Sequence, residues 1–315
     1  MSNSSNSFNN RINKFLLENQ LANCLIEPIK QDASSRKYYR IQNNKNILLM
    51  DSISLENKNH EFIKVSKYLK KIGLSSPEIV VTDHKNGLFL IEDFGDLTFN
   101  KAIKNNINEE LLYTNAVECL SQIHSRTPPI YIPKYSQQYL INEVNLFTEW
   151  YPKEFNIQLN TKSQQEWEVA WNEAFKNLSN NKLVLRDFHA DNLFWLPKRK
   201  KSERVGLIDF QDALIGNKAY DISSLLEDVR RDVSEETKNI CIKKFINLNK
   251  IKNKKKFIKD YFILTAQRNA KIVGIFIRLA RRDKKISYLK LVNKAMRIFI
   301  NSAKKADLKE ILRWV

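Results

Sequence analysis

The segment LVLRDFHADNLFWL (183–196) sets an Arg, two Asp, a His and an Asn between two apolar runs. Such a stretch reads either as a polar hairpin turn or as an active-site loop carried between buried strands. It contains no Gly or Pro, the usual turn residues, and catalytic groups concentrate on loops held by a rigid scaffold. Asp187 and Asn192 lie five positions apart, and Asp209 stands near the end of the next apolar run, ERVGLIDF (203–210). That set meets the needs of phosphoryl transfer: a carboxylate to orient or deprotonate the attacking hydroxyl, and oxygen ligands that hold Mg²⁺ against a triphosphate. Mg²⁺ takes a few hard oxygens and keeps some of its waters, so one Asn amide and one carboxylate suffice on the protein side.

The elements that must position these groups can be read along the chain. Residues 1–24 read as a polar tail and a first helix. LIEPIK (25–30), KYYRIQ (37–42) and NILLMDSI (46–53) are short and apolar-rich, which predicts three strands. Phe62, Val65, Leu69 and Ile72 share one helical face that ends at Gly73. Two more strands, 78–83 and 87–93, flank an Asn86-Gly87 turn. FGDLTF (94–99) breaks the pattern, and Leu112, Ala116, Leu120 and Ile123 then mark a helix to His124. Helices follow at 139–151 and 163–178, then strand–loop–strand at 183–196 and a third strand at 203–210. From Asp221 onward nearly everything is helical, with Leu291, Val292, Ala295, Met296, Phe299 and Ile300 as one stripe. The expected architecture is α+β, a protein-kinase-like bilobal fold. A five-stranded nucleotide-binding lobe would occupy 1–93, with a hinge near 91–96. A large, mainly helical lobe over 94–315 would carry the catalytic loop and the substrate site.

Composition narrows the setting. A chain of 315 residues, 43% of them hydrophobic, can bury a sizeable core in two lobes. The start, MSNSSNSFNN, has no apolar h-region, and the longest apolar stretch, IVGIFIRLA (272–280), is too short to span a membrane and carries Arg278. Cys24, Cys119 and Cys241 form no CxxC pair, which predicts a reducing cytoplasm without structural disulfides or zinc. The net charge of +18 suits a polyanionic partner. Its clusters, KRKK (198–201), KNKKK (252–256) and RRDKK (281–285), are separate and read as solvated faces. No specific nucleic-acid or membrane partner is expected, and any nucleic-acid association should vanish near physiological salt.

RDFHADN (186–192) matches the RDxxxxN core of a kinase catalytic loop, and IDFQDA (208–213) the metal-binding strand that follows it. With DASSRKYYRI (32–41), LLMDS (48–52), LIEDFGD (90–96), NEVNLFTEWY (142–151), LRDFHADNLFWLP (185–197), RVGLIDFQDALIGNKAYDISSLLEDVRRDV (204–233) and AQRNAKIVGIFIRLARRD (266–283), the chain resembles the aminoglycoside phosphotransferase superfamily of kinase-like enzymes. Within it, the chain is similar to the anomeric sugar kinases that phosphorylate N-acetylmuramate and N-acetylglucosamine during cell-wall recycling. The resemblance implies an ATP- and Mg²⁺-dependent kinase, with Asp187 as catalytic base and Asn192 and Asp209 as metal ligands. It implies that the main chain of Glu92, Asp93 and Phe94 holds adenine, and that the Gly-free loop DASSRK (32–37) covers the phosphates through Ser34, Ser35 and its backbone.

The chain departs from the superfamily pattern twice. Leu185 stands where a His usually precedes the catalytic Asp, and Met50 where the third strand usually carries a phosphate-binding Lys. Arg40, then Arg36, are the candidate cations for the phosphates, against a reading of Arg40 as an exposed strand residue. Glu61 reads as an exposed helix acid. Asp221 is a candidate N-cap, or an acceptor of backbone N–H groups from the loop. His189 could touch substrate or a loop carbonyl. Glu143 and Trp150 are candidate sugar contacts, against a reading of the aromatic positions there as core. Gln267, Arg268 and Asn269 interrupt an apolar helix face, which points to a buried polar or ligand contact. Three functions compete: a kinase of an amino-sugar hydroxyl, in the first instance the anomeric one; a kinase of choline, an aminoglycoside or another small alcohol; and a nucleotide-binding pseudokinase or basic nucleic-acid binder. A choline pocket needs an aromatic cage and an aminoglycoside pocket clustered acids, whereas 139–151 offers only Glu143 and Glu149.

Overall fold

The computed structural model describes residues 2–29, 36–42, 46–52 and 56–314. Its contacts divide the chain into two compact units, one of residues 1–102 with 193–212, the other of 103–192 with 213–315. Among the described residues no helix is long and apolar enough to cross a membrane.

The first unit holds α1 (Ser2–Glu18), β1 (Ile26–Pro28), β2 (Lys37–Ile41), β3 (Ile47–Asp51), α2 (Glu56–Lys71), β4 (Ile79–Asp83) and β5 (Leu88–Glu92). The strands form one antiparallel sheet in the order β1-β2-β3-β5-β4. The apolar residues of β3 and β5 make this order necessary: Leu49, Met50, Leu88, Phe89 and Leu90 are all buried, which only central strands allow. Gly87, at φ +61, closes the β4–β5 hairpin, and Asp83 accepts from both the backbone N–H and the side-chain amide of Asn86. Helix α1 lays Ile12, Phe15 and Leu16 onto Leu49, Leu88 and Leu90. Its Arg11 pairs with Asp51 at 2.6 Å.

Strands β6 (Lys182–Val184) and β7 (Leu193–Trp195), which flank the candidate loop, do not pair with each other. β6 pairs with β9 (Leu214–Gly216), and β7 with β8 (Val205–Leu207), so residues 185–192 are not a hairpin turn. The expected strand at 203–210 is correspondingly shorter, because residues 201–204 form a 3₁₀ turn ahead of β8. Backbone bonds explain why 193–212 group with the first unit: Trp195 N–H donates to Leu97 O at 2.8 Å and Leu207 N–H to Ser75 O at 2.7 Å. The division at 93/94 read from sequence follows the roles of two lobes; contact density follows these bonds.

The second unit takes the end of α3 (Phe99–Lys104), then α4 (Glu109–His124), α5 (Gln137–Glu154), α6 (Thr161–Phe175), α7 (Ala219–Leu226), α8 (Glu235–Leu248), α9 (Lys254–Arg281), α10 (Leu289–Lys305) and α11 (Lys309–Leu312). Asn108, Ser136, Asn160, Ser234 and Asn253 cap α4, α5, α6, α8 and α9 by accepting a backbone N–H of the first turn. Helix α9 is the axis of this unit and packs along both α5 and α10. At its crossing with α5, Gly274 has no room for a side chain: a Cβ there would lie 2.2 Å from the Leu146 carbonyl oxygen and 2.8 Å from the Phe147 nitrogen.

Because the obstacle is backbone, Gly274→Ala can be accommodated only by moving one helix. The variant is expected to lose about 1–3 kcal/mol, the usual range for overpacking, in reversible chemical denaturation. Unchanged stability would show that the two helices are not held at this distance.

Candidate active site

The loop between β6 and β7 begins with a backbone conformation that its sequence does not favour. Arg186 has φ +73, and Asp209, after β8, has φ +58. A non-Gly residue in this region costs on the order of 1 kcal/mol or more and persists where its surroundings impose it. For Arg186 the imposing group is Asp221, in the first turn of α7. Its carboxylate accepts the Leu185 N–H at 2.7 Å and the Arg186 N–H at 2.9 Å. Asp221 is not the N-cap of α7; Lys218 occupies that position. Burial pushes the Asp221 carboxyl up to about 7 against the pull of those two N–H groups.

Asp187 follows directly. Its side chain is 41% exposed, and Arg268 Nη1 stands 3.8 Å from Oδ1. Burial of the surrounding loop raises the Asp187 carboxyl, but Arg268, then Lys271, His189 and Arg186, outweigh it and hold the group below the ordinary carboxylate range. Asn192 donates its side-chain amide to the Asp187 carbonyl at 3.0 Å, and its backbone N–H to the His189 carbonyl at 2.9 Å. His189 is buried, with Nε2 3.3 Å from the Asn192 amide. Burial, opposed by Asp228, pushes it down to about 4, so it is neutral at neutral pH.

The other sequence candidates of this unit lie deeper. Glu143, on α5, is buried and takes four donors: Tyr135 Oη, Arg186 Nη2, Gln267 Nε2 at 2.9 Å and Lys271 Nζ at 3.2 Å. Burial raises its carboxyl, but Lys271 and Arg186, with the Tyr135 and Gln267 bonds, bring it below its usual value. Trp150 is half-buried with Lys153 above its ring, and its indole N–H has no partner among the described residues. Phe147 stacks on Tyr151 and Trp167 in the core.

In the first unit, Asp209 is exposed and accepts from Gln211 at 2.7 Å. Tyr38, on β2, feels both Arg36 and Asp209; burial, opposed by Arg36, pushes its hydroxyl up to about 12. Arg36 is buried, lies over the Phe62 ring and donates to the Lys58 carbonyl at 3.2 Å. Lys58 Nζ in turn meets Asp212 at 2.9 Å. Arg40 is taken up by two carboxylates, Asp93 at 2.6 Å and Asp96 at 3.0 Å. The Glu92 side chain is held by Arg199, which also covers Phe94. The backbone N–H groups of Glu92 and Asp93 bond to Glu78 O and Asn46 O, both at 2.8 Å. Met50 is buried opposite Phe89 and Tyr38, and Glu61 is exposed. Ser34 and Ser35 lie outside the described residues.

Sequence reasoning singled out the 267–269 interruption of α9 without assigning its partners, and it missed Tyr135, Tyr220 and Lys271. Lys271 sits within an apolar run, AKIVGIFI (270–277), and a cation there signals a buried counter-charge.

A model of the phosphotransferase enzyme family matches residues 25–240. The chain is 33% identical over 238 residues to the N-acetylmuramate/N-acetylglucosamine kinase of Caulobacter vibrioides, covering 72% of this chain and 66%, just under two thirds, of that protein. It is 25% identical over 272 residues to the kinase of the same name from Pseudomonas aeruginosa, covering 83% of this chain and 79% of that one. Among solved structures it is similar to the streptomycin-ATP-APH(2'')-IIa ternary complex, with a TM-score of 0.61 at 16% identity over 90% of this chain and 97% of that one. At that identity the likeness shows a shared kinase-like fold.

Asp221→Ala leaves the Leu185 and Arg186 N–H groups without their acceptor. It is expected to cost about 2 kcal/mol or more by chemical denaturation, since a buried unsatisfied donor costs about 1–3 kcal/mol. Asp221→Asn, which keeps one acceptor oxygen, is expected to cost less. An Ala variant as stable as the wild type would show that the loop does not depend on this carboxylate.

Proposed function

The chain belongs to the phosphotransferase enzyme family, and from that premise we propose that it is an ATP-dependent sugar kinase. It transfers the γ-phosphate of ATP to a hydroxyl of N-acetylmuramate or N-acetylglucosamine, the anomeric one in the first instance. The names of the relatives support the substrate class. The observation that carries the reading is the charge around Asp187: an ionised carboxylate, 41% exposed, beside Arg268 and under the influence of Lys271 and Arg186. The names of the relatives point to a neutral or anionic acceptor, since N-acetylmuramate is itself an acid. The scattered cysteines, with no CxxC pair, fit a reducing compartment such as the cytoplasm.

In this reading Asp187 accepts the proton of the attacking hydroxyl. The acceptor oxygen bonds to the γ-phosphorus, the bond from that phosphorus to the bridging oxygen breaks, and ADP leaves. General-base catalysis of this kind contributes about 10² to 10⁴-fold. The amide oxygen of Asn192 and the carboxylate of Asp209 have the donor chemistry that magnesium takes. Held by Asn192 and Asp209, Mg²⁺ would neutralise charge on the phosphate oxygens. Residues 32–35 and the main chain of 92–94 are assigned to the nucleotide. Arg36 is preferred over Arg40 for the phosphates, because Arg40 would first have to leave Asp93 and Asp96.

Two substitutions separate the base from the metal ligand. Asp187→Asn should reduce turnover by about 10² to 10⁴-fold while ATP affinity stays near wild type. Asp209→Asn should weaken Mg²⁺-ATP binding as well as turnover, and the two variants should bind ATP alike without Mg²⁺. In a coupled ADP-release assay the wild type should use N-acetyl amino sugars and leave choline and aminoglycosides untouched. Normal ATP binding with no turnover of any acceptor would favour the pseudokinase reading, and a nearly fully active Asp187→Asn would remove the catalytic assignment.

A further inference from the structure

Glu143 has the chemistry of a sugar-binding carboxylate but no acceptor capacity left for a sugar. A carboxylate offers about four lone-pair sites. Here Oε2 accepts from Tyr135 Oη and Gln267 Nε2, and Oε1 from Arg186 Nη2 and Lys271 Nζ. The two cations balance its charge with one to spare, and Lys271 passes part of its own hydrogen bonding to Tyr220 Oη at 2.9 Å.

We propose that Glu143 is a positioning residue for phosphoryl transfer: by holding the Arg186 guanidinium, it fixes the direction in which the adjacent Asp187 carboxylate points. The proposal rests on the kinase reading of Asp187. Arg186 is gripped at both ends. Its backbone, at φ +73, is held by Asp221 through the N–H. Its guanidinium lies 5.5 Å from the Tyr135 ring centre and 5.2 Å from that of Tyr139, and it ends on Glu143. With its N–H and its guanidinium both held, the Cα of Arg186 and the direction of its Cα–C bond are fixed, and these set where Asp187 starts. Glu143 has a second effect. Arg186 and Lys271 are both attracted to Asp187 as well, and the buried carboxylate of Glu143 keeps them occupied elsewhere. Without it, the two cations would be freer to act on Asp187.

The test uses the full chain with Glu143→Gln, Arg186→Met and the double variant. A misplacement of about 1 Å in a reacting group can cost about 100-fold, so Glu143→Gln is expected to lower kcat at least about tenfold. The KM for the sugar should stay within about twofold of wild type. Because Glu143 acts through Arg186, the double variant should be no slower than Arg186→Met alone. A raised sugar KM at unchanged kcat would make Glu143 a substrate contact, and multiplied losses in the double variant would make it independent of Arg186; either result overturns the proposal. Amide hydrogen exchange over 185–192 gives a readout that needs no turnover. Both single variants should speed exchange there and leave α8 protected, and unchanged exchange in the loop would also overturn the proposal. If the wild type phosphorylates no sugar, the kinase reading fails while the exchange result still decides whether Glu143 holds the loop. Should Glu143→Gln not fold, Glu143→Gln combined with Lys271→Met keeps the net charge of the cluster and serves for the same readouts.

Discussion

A buried carboxylate survives in a protein only when each of its lone pairs meets a donor, and Glu143 imposes that requirement on the helical unit. Its donors come from the segment ahead of α5, from the candidate loop and from α9. Each must arrive within hydrogen-bond distance at once, because removing one partner of a buried ion pair typically costs about 3–5 kcal/mol. Several features that look unrelated follow from this. The close crossing of α5 and α9 at Gly274 brings Gln267 and Lys271 to the face that carries Glu143. Strand β9 bonds to the backbone of Tyr135 and so sets the place of its hydroxyl. Tyr220 takes up the remaining reach of Lys271.

The chemistry then sits where two such anchors meet. Asp221 holds the loop by its backbone and Glu143 by a side chain, and between them Arg186 is kept in a conformation that Arg seldom adopts. Among the described residues with positive φ, Asn46, Asn106, Asn156, Asp209 and Asp307 are of a type that tolerates it. Gln20, Arg186, Lys201, Lys250 and Lys284 are not of that type, and of these Arg186 adjoins the carboxylate assigned to phosphoryl transfer. Local strain maintained by buried hydrogen bonds is the expected signature of a site that must not relax.

The polar groups of the loop, the five strands and the helical stripe of α10 were all legible in the sequence, since local pattern decides them. Val292, Ala295 and Phe299 are buried as the spacing of that stripe requires. The pairing of the loop's flanking strands was not legible. β6 and β9 are three-residue strands whose partners lie thirty positions apart, and nothing in so short an apolar run selects one neighbour over another. The same limit applies to the Glu143 network. Glu143 and Lys271 are 128 positions apart, and a single Glu among aromatics looks the same whether it faces a sugar or a buried cation. Arg40 was a reasonable phosphate ligand by strand position, and only the fold brings Asp93 and Asp96 to it.

The proposed sugar kinase rests on the names of the relatives and on the partly exposed Asp187 carboxylate beside Arg268. The chemical outcome at the acceptor tests this most directly. ³¹P NMR of the product formed from ATP, Mg²⁺ and N-acetylmuramate should show a new phosphomonoester resonance coupled to the anomeric proton of the sugar. A resonance coupled to another sugar position would contradict the anomeric assignment, and the appearance of inorganic phosphate alone, with no sugar phosphate, would contradict the kinase account itself.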